Sequence, residues 1–494
     1  MSDNLQQFLN LKFDNRFGRL SNQFHTNVKP TPFKLPHYLV SFNQQAAGLI
    51  DLDQSFIPDQ DFIDCITAKK PFPHTDPLAM LYSGHQFGGY NPQLGDGRAI
   101  LLTEVINNRG EHWDLQLKGS GLTPYSRDGD GRAVLRSTIR EYLCSEAMAG
   151  LSIDTTRALC IIGSDDEIYR ETIETGAFLI RMAPSHIRFG SFEIFYYRDQ
   201  HEQLKTLADF TINHYFPDIK NNTSKYVDWL SEVVIRTAKL IAHWQAVGFA
   251  HGVMNTDNMS ILGLTLDYGP FGFLEKYDPN FICNHSDHSG RYAFKEQPNI
   301  GLWNLSCLAQ ALLPLMTIDD AKSCLALYEK AFINEYVFLM QQKLGFSQSE
   351  NNDLKLINTL LALLEKNGSD YTRFFRSLSN FSSDNIHDNN GIRDDFIDIA
   401  AWDEWANVYC ARLKQENSND QKRKITMNSC NPKFILRNYI AEIAIRKARD
   451  EKDYSEIDRL LTVLQNPYDE HPDMQHYADV PPNWANSVAV SCSS

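Results

Sequence analysis

The chain has no CxxC pair, no long apolar run, no internal repeat and no excess of basic charge, and each absence removes a class of protein. A membrane-spanning helix needs about 18 or more consecutive apolar residues, and none occurs. Nine scattered cysteines, an odd number, fit neither a zinc ribbon nor a secreted disulfide framework. The opening MSDNLQQFLNLKFDNRFGRL lacks a basic-then-apolar signal pattern. The expected setting is therefore cytoplasmic and reducing, with no membrane partner. Lys and Arg number 47 against 62 Asp and Glu, a net charge of −15. That balance repels phosphate backbones over most of a surface, so nucleic acid is not expected. A polyanion must instead meet a local basic pocket, which points to a nucleotide-sized ligand. Neither the P-loop pattern nor the G-x-G-x-x-G dinucleotide pattern is present.

What is present is a 494-residue chain, 43% hydrophobic and 12% aromatic. It exceeds the size at which one hydrophobic core usually stops growing, so two lobes with additions are expected, in an α+β fold. Residues 1–80, rich in proline (Pro30, Pro32, Pro36, Pro58, Pro71, Pro73, Pro77), are expected as an extended N-terminal arm laid over a core. A first lobe over 81–200 has glycine turns between strands starting at Ala99 and Trp113. In WDLQLK, Trp113, Leu115 and Leu117 share one face and Asp114, Gln116 and Lys118 the other. Helices are expected over about 132–148, where Leu135, Ile139, Tyr142 and Leu143 form a stripe with Glu141 off it, and over 224–244, capped by Thr223 or Ser224. A second lobe spans 201–345, and a helical C-terminal extension with an irregular tail spans 346–494. The polar tracts 382–390 and 416–424 are expected as loops.

Two glycine clusters, YSGHQFGGYNPQLGDGR (with Gly95 and Gly97) and KGSGLTPYSRDGDGR (with Gly131), carry Arg98, Lys118, Arg127 and Arg132. They read either as tight turns or as backbone that approaches phosphate oxygens. Lys118 closes a strand and Glu141 lies on the next helix, as in the strand lysine and helix glutamate of protein kinases. His251 and Asn258 are seven apart, the spacing of the kinase catalytic loop, and Asp267-Tyr268-Gly269 stands where D-F-G would. Asn258 and Asp267 offer the hard oxygens that magnesium requires. The position of the kinase catalytic aspartate, however, holds Val253. Asp257 is the nearest carboxylate, either a proton acceptor or a turn residue bonding its own backbone. Arg181 and Arg188, seven apart around Pro184, are either surface arginines or a bidentate phosphate clamp. His186 between them reads as a packed histidine.

With these residues assembled, the chain closely resembles the selenoprotein O family, protein adenylyltransferases built on a pseudokinase fold. The resemblance runs through YSGHQFGGYNPQLGDGRA, LQLKGSGLTPYSRDGDGRAVLRSTIREYL, RMAPSHIRFGSFE and HGVMNTDNMSILGLTLDYGPFGFL. It implies a bilobal protein-kinase-like fold and transfer of AMP from ATP to Ser, Thr or Tyr hydroxyls of protein substrates, with Mg2+ or Mn2+ bound. It places Gly95, Gly97, Arg98, Lys118, Asp130, Gly131, Arg181 and Arg188 at the nucleotide, Asp257 as proton acceptor, Asn258 and Asp267 at the metal, and Glu141 as partner of the lysine. The family also often carries cysteine or selenocysteine near its C-terminus. Here that position is Cys492, expected to pair reversibly with Cys283. Phosphoryl or other nucleotidyl transfer, including UMP transfer, and a non-catalytic ATP-binding scaffold are the competing readings.

Overall fold

Branched residues at alternate positions make Ala99–Ile106 and His112–Lys118 neighbouring antiparallel strands. They are joined by a turn in which the Gly110 N–H donates to Asn107 O at 2.9 Å. The computed structural model describes residues 2–73, 75–488 and 490. Among the described residues these two strands belong to a nine-stranded sheet. Its order is His25–Asn27, Leu78–Met80, Ala99–Ile106, His112–Lys118, Ile173–Ala183, Arg157–Tyr169 and His37–Phe42, antiparallel throughout. Two short strands, Lys12–Phe13 and Ala133–Val134, attach beside it. His112–Lys118 is central, with Lys118 between Ala99 and Leu179. Both of its faces are therefore buried, the polar one included.

The residues before position 80 are not an extended arm. They supply strands to the sheet and short helices (Asp3–Leu9, Gln44–Gly48, Gln60–Ile66) that cover one of its faces, with Phe8, Phe33, Phe56 and Phe62 packed among Ile100, Leu117, Phe178 and Ile180. The prolines lie between these elements, where they interrupt hydrogen bonding without removing the segment from the core. Alternation along the strands sends Ile161, Ala177 and Leu179 to the opposite face, against Ile139 and Leu143 of the Leu135–Gly150 helix. Asn438–Arg446 and Ser455–Gln465 return to the same helix through Ile440, Leu460 and Leu464. The approach is close: a Cβ on Gly150 would sit 2.0 Å from Leu464 O.

Lys225–Val247 carries the expected apolar stripe, from Trp229 to Trp244, and ends at Gly248, whose left-handed φ of 77° terminates it. Ser224 occupies its N-cap position, but the hydroxyl donates to Asp228 Oδ1 at 3.1 Å and caps no helix N–H. Phe249–Ala250 then pairs with Gly272–Phe273, framing a loop over residues 251–271. Beyond Gly301 the chain is mostly helical. The tract 416–424 is not all loop: Asn419 accepts from the Lys422 N–H at 3.0 Å and starts the helix Asp420–Asn428, which buries Arg423 and Met427. In 382–390 the second half is likewise helical, Ile386–Asn389 running into Asn390–Arg393. Among the described residues no helix is long and apolar enough to cross a membrane.

Candidate active site

Between the Lys118 end of the sheet and the 251–271 loop lies a cavity of about 710 Å³, within the range of small-ligand sites. Gly95, Gly97, Arg98, Lys118, Asp130, Gly131, Glu141, Arg181, Arg188, Asp257, Asn258 and Asp267 all line it. The fold thus brings to one cavity every residue expected at the nucleotide and the metal, together with the expected proton acceptor Asp257 and the lysine's partner Glu141.

The two glycine segments owe their shape to packing. Gly95 has φ 83°, and a Cβ there would meet the Tyr125 ring at 2.5 Å. Gly131 has φ 70°, and its Cβ would lie 2.0 Å from Gly121 O, so the ends of the 119–131 loop touch backbone to backbone. Arg98 and Arg127 stand on the exposed rim of the cavity these loops form. Asp130 is held by Arg170 at 2.8 and 2.9 Å and accepts from the Arg132 N–H at 2.9 Å. Its carboxyl stays below the ordinary range, with those partners outweighing the opposing effect of partial burial.

Deeper in, Lys118 Nζ bonds Glu141 Oε2 and stands 3.9 Å from Asp267 Oδ1. Burial pushes the Lys118 ammonium down, against the pull of Glu141. Arg181 pairs with Gln116 across the strands, so its guanidinium lies on the Lys118 face, 3.1 Å from Glu141 Oε1 and bonded to Asp267 Oδ1. Arg188 leaves the turn after that strand, bonds Asp267 Oδ2, donates to Asp257 O at 2.7 Å and stacks 4.7 Å from the Tyr82 ring centre. Pro184 breaks the run between the two arginines, and the turn brings them to one carboxylate. Burial opposes the Asp267 charge, yet Arg181 and Arg188 hold it well below the usual carboxylate range.

His251 lies beneath the loop, its ring tilted against that of Trp244 at 5.3 Å, with Nε2 2.9 Å from Leu266 O. Asn258 Nδ2 donates to Val253 O at 3.0 Å, which fixes the amide. Asp257 is buried; Oδ2 accepts from Gln86 Nε2 at 3.1 Å, while Oδ1 has no hydrogen-bond partner. Burial raises its carboxyl to about 7, against the opposing pull of Arg188 and Gln86. His186 is a packed residue, 3.0 Å from Asp114 Oδ2.

Gln86, Gln116 and Asp96 were not singled out in the sequence. Asp96 accepts from the Met80 N–H at 3.1 Å and from Gln116 at 3.2 Å, and burial pushes its carboxyl up. Its position between Gly95 and Gly97 was the available signal, and for Gln116 its place on the Lys118 face of the strand; Gln86 carried none. Cys283 is buried under the loop, its Sγ 3.5 Å from Ala250 O. Cys492 lies outside the described residues.

Chemically, the arrangement can neutralise a chain of phosphates with Lys118, Arg181 and Arg188 and can take up a proton at Asp257. Among the described residues no group of three or more His, Cys, Asp or Glu could hold a metal ion. A magnesium-type ion needs fewer protein ligands, because it keeps waters and binds substrate phosphates. Asn258 and Asp267, one amide and one carboxylate on the same cavity, fit that donor set.

Buried cations, carboxylates and glycine turns around one cavity are the furniture of an anion-handling transferase cleft, and comparison with known proteins agrees. A family model described as protein adenylyltransferase SelO matches residues 7–465, and the chain belongs to that family. It is 53% identical over 484 residues to a protein named protein nucleotidyltransferase YdiU from Thiobacillus denitrificans, covering 98% of this chain and 99% of that one. A protein of the same name from Myxococcus xanthus is 53% identical with the same coverage, and one from Pseudomonas fluorescens SBW25 is 50% identical over 485 residues, 98% of this chain and 99% of that one.

Proposed function

We propose that this protein transfers AMP from ATP to Ser, Thr or Tyr hydroxyls of other proteins, using the cleft between its sheet and the 251–271 loop as kinase-like folds use theirs. The observation that carries this reading is Asp257: a buried carboxylate on the cavity wall, held on one oxygen by Gln86 and unpartnered on the other. It stands beside Arg188, with Arg181 lining the same cavity, while the kinase aspartate position is Val253. A site short of the ordinary phosphoryl-transfer base but rich in deep cations suits attack on a phosphate other than the terminal one.

Lys118, braced by Glu141, and the arginines Arg181 and Arg188 bind and orient the phosphate chain, and the glycine loops bring backbone close to it. Gly95, Gly97, Arg98, Asp130 and Gly131 form the outer part of this nucleotide site. Asp257 Oδ1 accepts the proton of the incoming hydroxyl as the hydroxyl oxygen bonds to the α-phosphorus. The bond from that phosphorus to the bridging oxygen breaks, and pyrophosphate leaves. Asn258 and Asp267 would hold Mg2+ or Mn2+, which neutralises phosphate charge when bound. Tyr82 stacks on Arg188 and Gln116 bonds Arg181, so both guanidiniums are positioned before substrate arrives. Because Cys283 lies under the loop that carries Asp257, reversible pairing with Cys492 is the redox control proposed for the site. A peptide map of oxidised protein with no Cys283–Cys492 cross-link removes that control.

The test is incubation with ATP labelled at the α- or the γ-phosphate, with wild type and Asp257→Ala. Label reaching protein from the α-position only, and lost in the variant, is expected. Label from the γ-position alone rejects AMP transfer, and binding of ATP with no transfer from either position supports the scaffold reading. The name of the relatives leaves their nucleotide unspecified, so UMP transfer is the second reading, and a panel of labelled nucleotides decides it.

A further inference from the structure

At the mouth of the cavity, a hairpin of Gly84–Gln86 and Gly89–Asn91 crosses in front of Asp257. Gly84 packs on the Asp257 side chain, where a Cβ would lie 3.0 Å away, and Gln86 holds its Oδ2. The hairpin tip is fixed through the Phe87 N–H, which donates to Tyr292 Oη at 2.9 Å, while Tyr292 Oη donates to Asn255 Oδ1 at 2.6 Å. Beside this tip stands Arg291. Its guanidinium carbon is 4.5 Å from the Trp303 ring centre and 5.8 Å from that of Tyr292. Nη1 points toward the tip, 3.5 Å from where a Cβ on Gly88 would sit.

This cation differs from the arginines of the cavity floor. Arg181 and Arg188 have Asp267, and Arg170 has Asp130, whereas Arg291 is in no ion pair among the described residues. Its Nε and Nη2 are buried and make no hydrogen bond. The nearest acidic side chain in sequence, Asp287, is spent on backbone: it accepts from the Arg291 and Tyr292 N–H groups at 3.0 and 2.7 Å. Withdrawing donors of a charged group from water without a partner is unfavourable, and a fixed planar cation in that state favours an anion brought from outside. The two aromatic rings hold the guanidinium in place before any ligand arrives, which lowers the ordering cost of the contact.

We propose that Arg291 is a specificity residue for the protein acceptor: it pairs with an Asp or Glu side chain close in sequence to the hydroxyl presented to Asp257. This rests on the AMP-transfer reading and adds to it a substrate class, hydroxyl residues flanked by acid. The geometry favours the acceptor over the nucleotide as source of the anion, because Arg291 lies on the outer side of the hairpin strand that holds Asp257 and is not among the residues lining the cavity.

The test uses the full-length protein, α-labelled ATP and synthetic peptides containing a single Ser, Thr or Tyr, with Glu or Gln scanned through the neighbouring positions. Wild type is expected to modify at least one Glu peptide about tenfold faster than its Gln counterpart, the size of a charge-assisted hydrogen bond. Arg291→Gln should erase that difference, and Arg291→Lys should keep part of it. ATP affinity, read by equilibrium binding, should be the same in all three, which also shows that the variants are folded. Label in the wild type with no preference for Glu overturns this inference alone, as does a preference that survives in Arg291→Gln. A loss of ATP affinity in Arg291→Gln also overturns it, by moving Arg291 to the nucleotide. No α-label on any peptide or protein overturns the AMP-transfer reading itself.

Discussion

Replacing Asp257 by Asn removes the proton acceptor while keeping the shape of the side chain, and the structure sets the size and sign of two effects. For the chemical step, loss of a positioned general base costs roughly 10²–10⁴-fold. Nucleotide affinity should change little, because Lys118, Arg181 and Arg188 remain. For stability the effect runs the other way. Burial raises the Asp257 carboxyl from 3.8 to about 7, so ionising it in the folded protein is opposed by an upper limit of about 4 kcal/mol. A raised folded-state value means the contribution to stability is fully present below 3.8 and is lost as pH rises through about 7. Wild type should therefore lose stability over that window, whereas Asp257→Asn should lose less and be the more stable protein at about pH 8, by an amount bounded by the same ~4 kcal/mol. Denaturant unfolding of both proteins across pH, with AMP incorporation measured alongside, checks both effects. A variant that transfers AMP within about fivefold of wild type, or one that is less stable at alkaline pH, would refute the reasoning.

Lys118→Met should abolish nucleotide binding and destabilise the fold by up to about 3 kcal/mol, the low end for breaking a buried pair, since Arg181 still faces Glu141; binding and denaturant titrations read it. Gly131→Ala meets Gly121 O and a left-handed φ at once, so a cost of at least 1–2 kcal/mol and a weakened ATP affinity are expected by the same measurements, with unchanged affinity as the contrary result. Chelation with EDTA should stop AMP transfer yet leave the unfolding midpoint of the nucleotide-free protein unchanged, because Asp267 is already neutralised by two arginines. A fall in the midpoint would instead reveal a metal that the fold itself needs.

Much of this site was readable because its chemistry lies in short segments whose internal spacing survives folding. Asp257, Asn258 and Asp267 sit on one loop, and Arg181 and Arg188 flank one proline. The pairing of Lys118 with Glu141 was likewise readable, from a strand end and the off-stripe position of the following helix. What escaped was set by distant contacts. The residues before position 80 look like an arm because their prolines dominate the local pattern, yet the short runs between them complete a sheet edge and cover its face. Gln86 and Gln116 acquire meaning only from the Asp257 and Arg181 side chains they touch, about 171 and 65 positions away. The helix Asp420–Asn428 was hidden by its polar composition: it buries only Arg423 and Met427, too few positions to leave a stripe.

A net charge of −15 runs against a site for a triphosphate, and the conflict is resolved locally, in the cleft. Burial raises the Asp257 carboxyl to about 7, so near neutral pH it holds a proton for much of the time and cancels little of the positive charge beside it, and burial pushes the Asp96 carboxyl up as well. Glu141 and Asp267 are set against Lys118, Arg181 and Arg188, so three cations are gathered on the floor of the cleft although the chain as a whole is acidic. The same economy limits catalysis. A bound triphosphate adds negative charge near Asp257 and must raise its carboxyl further, so the proton is harder to remove in the substrate complex than in the free protein. The acid limb of kcat should therefore lie at higher pH than that of kcat/KM, and extra divalent ion should draw the two together. Coincident limbs at every metal concentration would mean that Asp257 does not feel the phosphates, and the place assigned to it at the α-phosphorus would be wrong.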